Sequence, residues 1–215
     1  MVISFISYKG GVGKTTMSEN VAVCFAHAGR SVCIVDADDS ANSISWVARR
    51  DTELPKIDVY RENNKEEIAL NIQEYNKKYD LVIIDSPPSQ APISDMIVLM
   101  SNLVVVPLLP KGEQETNTIN QFVRKVKALE AAKEKKIPVY FAINEFDGRT
   151  SLHRNFAETM EKAFGDRLLK ARLHNRVAYS EVTHEGKGVL EHSDLKAREE
   201  ITTLVNELVS VIKSQ

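Results

Sequence analysis

The sequence is poor in cysteine and tryptophan, lacks long apolar runs, and carries charges that nearly cancel: two cysteines, one tryptophan and a net charge of −2 in 215 residues. Cys24 and Cys33 form no C-x-x-C pair. That argues against a disulfide framework or a thiolate zinc site and fits a reducing compartment. No apolar stretch approaches bilayer length, and no basic start precedes Val2-Ile-Ser-Phe-Ile-Ser7, so neither a membrane span nor a secretory leader is expected and a cytoplasmic location follows. The small net charge gives no general attraction to nucleic acid, which leaves a local basic patch as the route to any such binding.

What is present is a chain 43% hydrophobic and 27% charged, the profile of one soluble domain over residues 1–215 with a sizeable core. Short apolar runs alternate with helical patterns, which predicts an α/β fold: a mainly parallel sheet with helices on both faces. The strand candidates are Val2 to Ser7, Ser31 to Asp36, Leu81 to Asp85, Leu103 to Pro107 and Pro138 to Asn144, with Ile57 to Arg61 as a weaker edge strand. Met17, Val21, Cys24, Phe25 and Ala28 recur at helical spacing before Gly29, and Ile119, Phe122, Val123, Val126 and Leu129 recur in a long helix starting near Glu113. After Asn144 the pattern blurs into a helix over Leu152 to Phe164, a strand near Leu168 to Leu173 and a last helix from about Asp194.

The first strand runs into Y8-K-G-G-V-G-K-T-T16, which approximates the phosphate-binding pattern G-x-x-x-x-G-K-[ST] but has Tyr8 where the first glycine belongs and an additional cation at Lys9. Gly10, Gly11 and Gly13 let successive N–H groups turn toward phosphate oxygens at a helix N-terminus. Lys14 is expected to reach the β- and γ-phosphates and Thr15 to ligate Mg²⁺. Asp85 closes the apolar run Leu81-Val-Ile-Ile-Asp, where a Walker B acid stands near the metal. Asp36 and Asp38 follow the second strand, at the end of a parallel sheet where ligands bind. Asp39 reads as a cap of the next helix. Pro87-Pro88 stiffens a loop placed to sense the γ-phosphate.

Together K9-G-G-V-G-K-T-T16, V35-D-A-D38, I83-I-D-S-P-P88 and V105-V-P-L108 resemble the deviant-Walker ATPases of the ParA/MinD superfamily, over nearly the whole chain. The resemblance implies a three-layer P-loop NTPase fold, ATP and Mg²⁺ as cofactors, and a homodimer that sandwiches two nucleotides. Carried over by motif, Lys9 to Thr16, including Val12 and Thr16, form the nucleotide loop, and Lys9 reaches the partner's nucleotide. Lys14 serves catalysis from its own subunit, and Asp38 positions the attacking water. Asp85, Thr15 and Asp36 serve the metal. Asn144, at the end of Val139-Tyr-Phe-Ala-Ile143, resembles an adenine-contacting asparagine. The segment N144-E-F-D147 also resembles the N-K-x-D element of GTPases, which keeps GTP as an alternative. No role for Tyr8 emerges.

Within the superfamily, the chain resembles the short ParA proteins that segregate plasmids or position cargo. Such proteins coat DNA non-specifically as ATP dimers and are stimulated by a ParB-like adaptor; nucleoid association in the ATP state follows. The expected DNA contacts are Arg176, Lys196 and Arg198, within or after the basic run R167-L-L-K-A-R-L-H-N-R176. A VirC-like accessory role in conjugation is an alternative. A MinD-like membrane role is the other, but the stripe Ile201, Leu204, Val205, Leu208 and Ile212 faces too few cations for a lipid surface and reads as core.

Overall fold

Strands buried on both faces need apolar side chains at every position, and the computed structural model, which describes residues 1–88, 92–111 and 113–214, uses the short apolar runs in that way. Seven strands form one parallel sheet: β1 (Val2–Phe5), β2 (Val32–Asp36), β3 (Asp58–Arg61), β4 (Leu81–Asp85), β5 (Leu103–Leu108), β6 (Val139–Phe146) and β7 (Leu168–His174), in the order β3-β2-β4-β1-β5-β6-β7. The helices are α1 (Lys14–His27), α2 (Asn42–Val47), α3 (Ile68–Lys78), α4 (Pro92–Met100), α5 (Glu113–Lys133), α6 (Ser151–Phe164), α7 (Val177–His184) and α8 (Leu195–Lys213).

The period of two along each strand divides the core. Ile3, Phe5, Val32, Ile34, Leu81, Ile83, Leu103 and Val105 point to one face, where Met17 and Val21 of α1, Trp46 of α2, Val182 of α7 and Ile201, Leu204 and Leu208 of α8 cover them. The alternate residues point to the other face. There Cys33, Val35, Val82 and Ile84 meet α3 and α4, while Val104, Val106 and Phe141 meet α5 and α6. This is a three-layer α/β sandwich of the P-loop NTPase type. The stripe of α8 is core, with Ile201, Leu204 and Leu208 fully buried, and Asp194 caps the helix by accepting from Lys196 N and Ala197 N at 3.0 and 3.1 Å. No helix among the described residues is long and apolar enough to cross a membrane.

The element order places the chemistry. From the central β1 the chain first builds toward β2 and β3, returns through β4 on one side of β1, and continues through β5 on the other. Loops that leave such a reversal point diverge and open a crevice at the carboxyl ends of the strands. The loop after β1 lies in that crevice.

Candidate functional site

The loop after β1 turns inward through two left-handed glycines, Gly11 at φ 70° and Gly13 at φ 93°. Gly13 has a second constraint: a Cβ there would fall 2.1 Å from the Asn144 amide nitrogen. Asn144 lies against the loop because its Nδ2 donates to the Val12 carbonyl at 3.0 Å, fastening the end of β6 to the turn. The expected adenine-contacting residue therefore braces the phosphate loop with its amide nitrogen. Lys14, 6% exposed, extends across the loop to 3.5 Å from the Lys9 carbonyl oxygen. Burial lowers its pKa, while the charges of Asp85 and Asp38 oppose the shift.

The sheet register sets Asp36 directly beside Asp85 at the ends of β2 and β4. Thr15 Oγ1 donates to Asp85 Oδ2 at 2.6 Å, and Ser43 Oγ lies 3.5 Å from the same oxygen. Asp85 Oδ1 is buried and has no hydrogen-bond partner among the described residues. Burial is the main cause that pushes the Asp85 carboxyl up to about 7; the Thr15 bond opposes it and the Asp36 charge adds to it. A buried carboxylate with an unsatisfied oxygen beside a threonine hydroxyl fits a hard cation such as Mg²⁺.

Asp36, expected on the metal, is engaged otherwise. Its Oδ1 accepts from Asp38 N at 3.3 Å, and its Oδ2 accepts from Ser43 N and Ile44 N at 2.9 and 3.2 Å, so it satisfies the first turn of α2. This also corrects the cap: Asp39 accepts from Asn63 Nδ2 at 3.0 Å and leaves α2 to Asp36. Asp38 turns its Oδ1 onto Ser40 N and Oγ, at 2.9 and 2.7 Å, on the wall of the crevice.

The crevice has a volume of about 590 Å³ and runs from Gly10, Lys14, Thr15 and Asp38 past Pro88 and Asn144 to Asn175, Arg176 and Val177. Arg176, expected among the DNA contacts, lines this wall, and its guanidinium is held by Glu200 Oε1 at 2.9 and 2.5 Å. The rest of the basic run disperses. Arg172 is half-buried and donates to the Leu169 and Ala171 carbonyls, whereas Lys170 is exposed. Lys196 and Arg198 are both exposed near the start of α8.

Three acidic or aromatic side chains that motif reading did not place have definite settings. Lys9 Nζ pairs with Glu115 Oε2 at 3.0 Å, and the Glu115 side chain is almost wholly buried. Tyr8 packs edge-on against Phe122 with ring centroids 5.4 Å apart, so its ring joins the core of α5. Glu19, one turn beyond Thr15, is buried with neither carboxylate oxygen bonded among the described residues. Burial, with the Asp85 charge adding, pushes its carboxyl up to about 9. Short local spacing carries no signal for Glu115, which meets Lys9 across 106 residues.

A family model for the CobQ/CobB/MinD/ParA nucleotide binding domain matches residues 3–189. The chain belongs to this family. It is 26% identical over 219 residues to the maintenance of carboxysome distribution protein A of Halothiobacillus neapolitanus, covering 96% of this chain and 95% of the relative. It is 23% identical over 228 residues to the sporulation initiation inhibitor protein Soj of Bacillus subtilis, covering 88% and 90%. Among solved structures, the MinD cell division protein of Aquifex aeolicus superimposes with a TM-score of 0.80 at 16% identity, covering 97% of both chains. A plasmid partition protein of Borrelia burgdorferi bound to AMPPNP superimposes with a TM-score of 0.78 at 16% identity, covering 97% of this chain and 98% of that one. The ParA/MinD-type fold thus spans the chain, and its family is one of partition and positioning ATPases.

Proposed function

We propose that this ParA/MinD-family chain is a Mg²⁺-dependent ATPase that dimerises with ATP, binds DNA without sequence preference and positions DNA or another cargo, with slow hydrolysis until a ParB-like adaptor acts. The observation that carries the reading is the division of labour between two lysines. Lys14 is buried across its own loop, whereas Lys9 Nζ turns away to Glu115 and, once released from that pair, can serve another nucleotide.

The residues divide the chemistry as follows. Backbone N–H groups from Gly10 to Thr15 and the Lys14 ammonium hold the triphosphate, and Thr15 Oγ1 with Asp85 holds the metal. Bound Mg²⁺ neutralises charge on the phosphate oxygens. Asp38 orients water at the γ-phosphate, and Asp36 keeps that segment in place through α2. Lys9, arriving from a partner subunit, adds positive charge where negative charge develops; cations supplied in trans are worth roughly 10³–10⁵ in rate in related phosphoryl-transfer systems.

ATP is favoured over GTP because Asp147, the residue a guanine would need, is held by Arg149 Nε and Nη2 at 2.9 Å in an exposed turn. That pairing keeps its carboxyl well below the usual range. A MinD-like use of the terminal helix on a membrane is disfavoured by the burial of Ile201, Leu204 and Leu208.

Light scattering with ATP, ADP and non-specific duplex DNA tests the reading. ATP is expected to double the mass, and DNA binding is expected to require ATP and to weaken steeply with salt. Lys9→Ala is expected to remain monomeric with ATP. A Lys9→Ala dimer as stable as the unmodified one would overturn the assignment of Lys9.

A further inference from the structure

Parallel strands give the sheet two unlike ends. Asn144, near the carboxyl end of β6, touches the phosphate loop, while Val139, where β6 begins, opens onto a second cavity at the far end of the molecule. This cavity, about 540 Å³, lies between the second half of α5, the start of β6 and the end of α6. Its floor is apolar: Phe122, Val126, Val139 and Phe141 are buried, and the half-buried Phe164 stacks on Phe141 with centroids 3.8 Å apart.

Its rim is basic, although the chain as a whole is slightly acidic. Lys127, Lys135, Lys136 and Arg167 stand against Glu130 and Glu134. Glu130 is already committed, accepting from Ile137 N at 3.0 Å and lying 3.8 Å from Lys136 Nζ. Lys127, Lys135 and Arg167 make no ion pair among the described residues, and Glu134 is the one further acid among the residues that line the cavity. The α5 wall runs from Phe122 and Val123 through Val126, Lys127 and Glu130 to Ala131, more than two turns of one helical face and roughly 13 Å of length, and Glu134, left-handed at φ 50°, extends the rim just past the end of the helix. A compact metabolite would contact a single turn. An amphipathic helix laid along α5 uses the whole length, with apolar anchors in the floor and acids against the rim.

We propose that this groove docks an acidic amphipathic helix of a partner protein. The groove shares no lining residue with the phosphate-loop crevice, so this inference stands whether or not the nucleotide reading does. The surplus of unpaired cations selects against basic helices of the same apolar pattern, which would leave like charges facing one another.

The test uses three synthetic helical peptides of about four turns that share one apolar stripe and carry glutamate, glutamine or lysine on its flanks. Their binding to the full chain is followed by fluorescence anisotropy. The acidic peptide is expected to bind about tenfold more tightly than the lysine peptide at moderate salt. Exposed Ala131 allows Ala131→Glu to block the groove without disturbing the core, and this variant is expected to lose the binding. The triple variant Lys127→Glu, Lys135→Glu, Arg167→Glu is expected to reverse the preference. Equal binding of the three peptides, no binding, or full binding by Ala131→Glu overturns the proposal. So do two other outcomes: displacement of the acidic peptide by short duplex DNA, which assigns the cations to phosphate, and Ala131-dependent self-association, which assigns the groove to a second copy.

Discussion

Glu115 holds Lys9 within its own subunit, and a lysine held there has to be released before it can reach a partner. Glu115→Gln keeps a polar group at the Leu109 N–H, 3.4 Å away, but removes the charge that retains Lys9. The ATP-dependent dimer of this variant is expected to tighten about fivefold, equivalent to about 1 kcal/mol, as measured by sedimentation. A weaker dimer would show that Glu115 supports the interface instead. Glu19 leads to a pH prediction. Its carboxyl stands at about 9 against an ordinary value of 4.5, so between those values the folded state retains a proton that the unfolded state has lost. Stability attributable to Glu19 therefore falls as pH rises through that window. Glu19→Gln is expected to be more stable than the parent by on the order of a few kcal/mol at pH 8 and similar near pH 4.5, compared by urea midpoints. Lys14, Thr15 and Asp85 were legible in the sequence because a phosphate loop and a Walker B strand end fix their neighbours locally. Glu115 was not, since nothing in the helix start around it marks a partner 106 residues away. Tyr8 was opaque for a similar reason: its ring packs against Phe122 of α5, a contact outside the motif that contains it.

At the scale of elements, β1, β2, β4, β5 and β6 were legible because burial on both faces demands uninterrupted apolar runs. The short helices were harder. α7 is eight residues long and opens with Val177, 70% exposed on the crevice wall, which breaks the apolar period expected of a packed helix. α2 lacks any local capping signal because Ala41, at its N-cap, is left-handed at φ 50° and the capping carboxylate comes from Asp36, at the end of the preceding strand. In α8 the sequence posed a choice between lipid and core, and packing against α1 and β7 decides it. Leu204→Ala is accordingly expected to cost about 2–5 kcal/mol of stability, measured by denaturant unfolding. A loss confined to vesicle binding, with stability unchanged, would contradict this placement of the helix.

At the scale of the whole molecule, the two ends of the sheet are chemically distinct, and α5 spans them. Its 21 residues, about 30 Å of continuous helix, begin beside Glu115 and end along the basic groove. A helix of this length behaves as a stiff rod, so a small tilt at its first turn becomes a larger displacement at its last. If ATP draws Lys9 away from Glu115, as proposed, amide hydrogen exchange over residues 127–133 is expected to change, and in Glu115→Gln the same change is expected before ATP is added. Exchange that is indifferent to ATP would mean that the rod is pinned along its length by the Phe122 and Val126 contacts. If it pivots, one helix acts as the pointer of a gauge: its base senses whether a lysine has left its post, and its tip displays that reading on the opposite side of the protein.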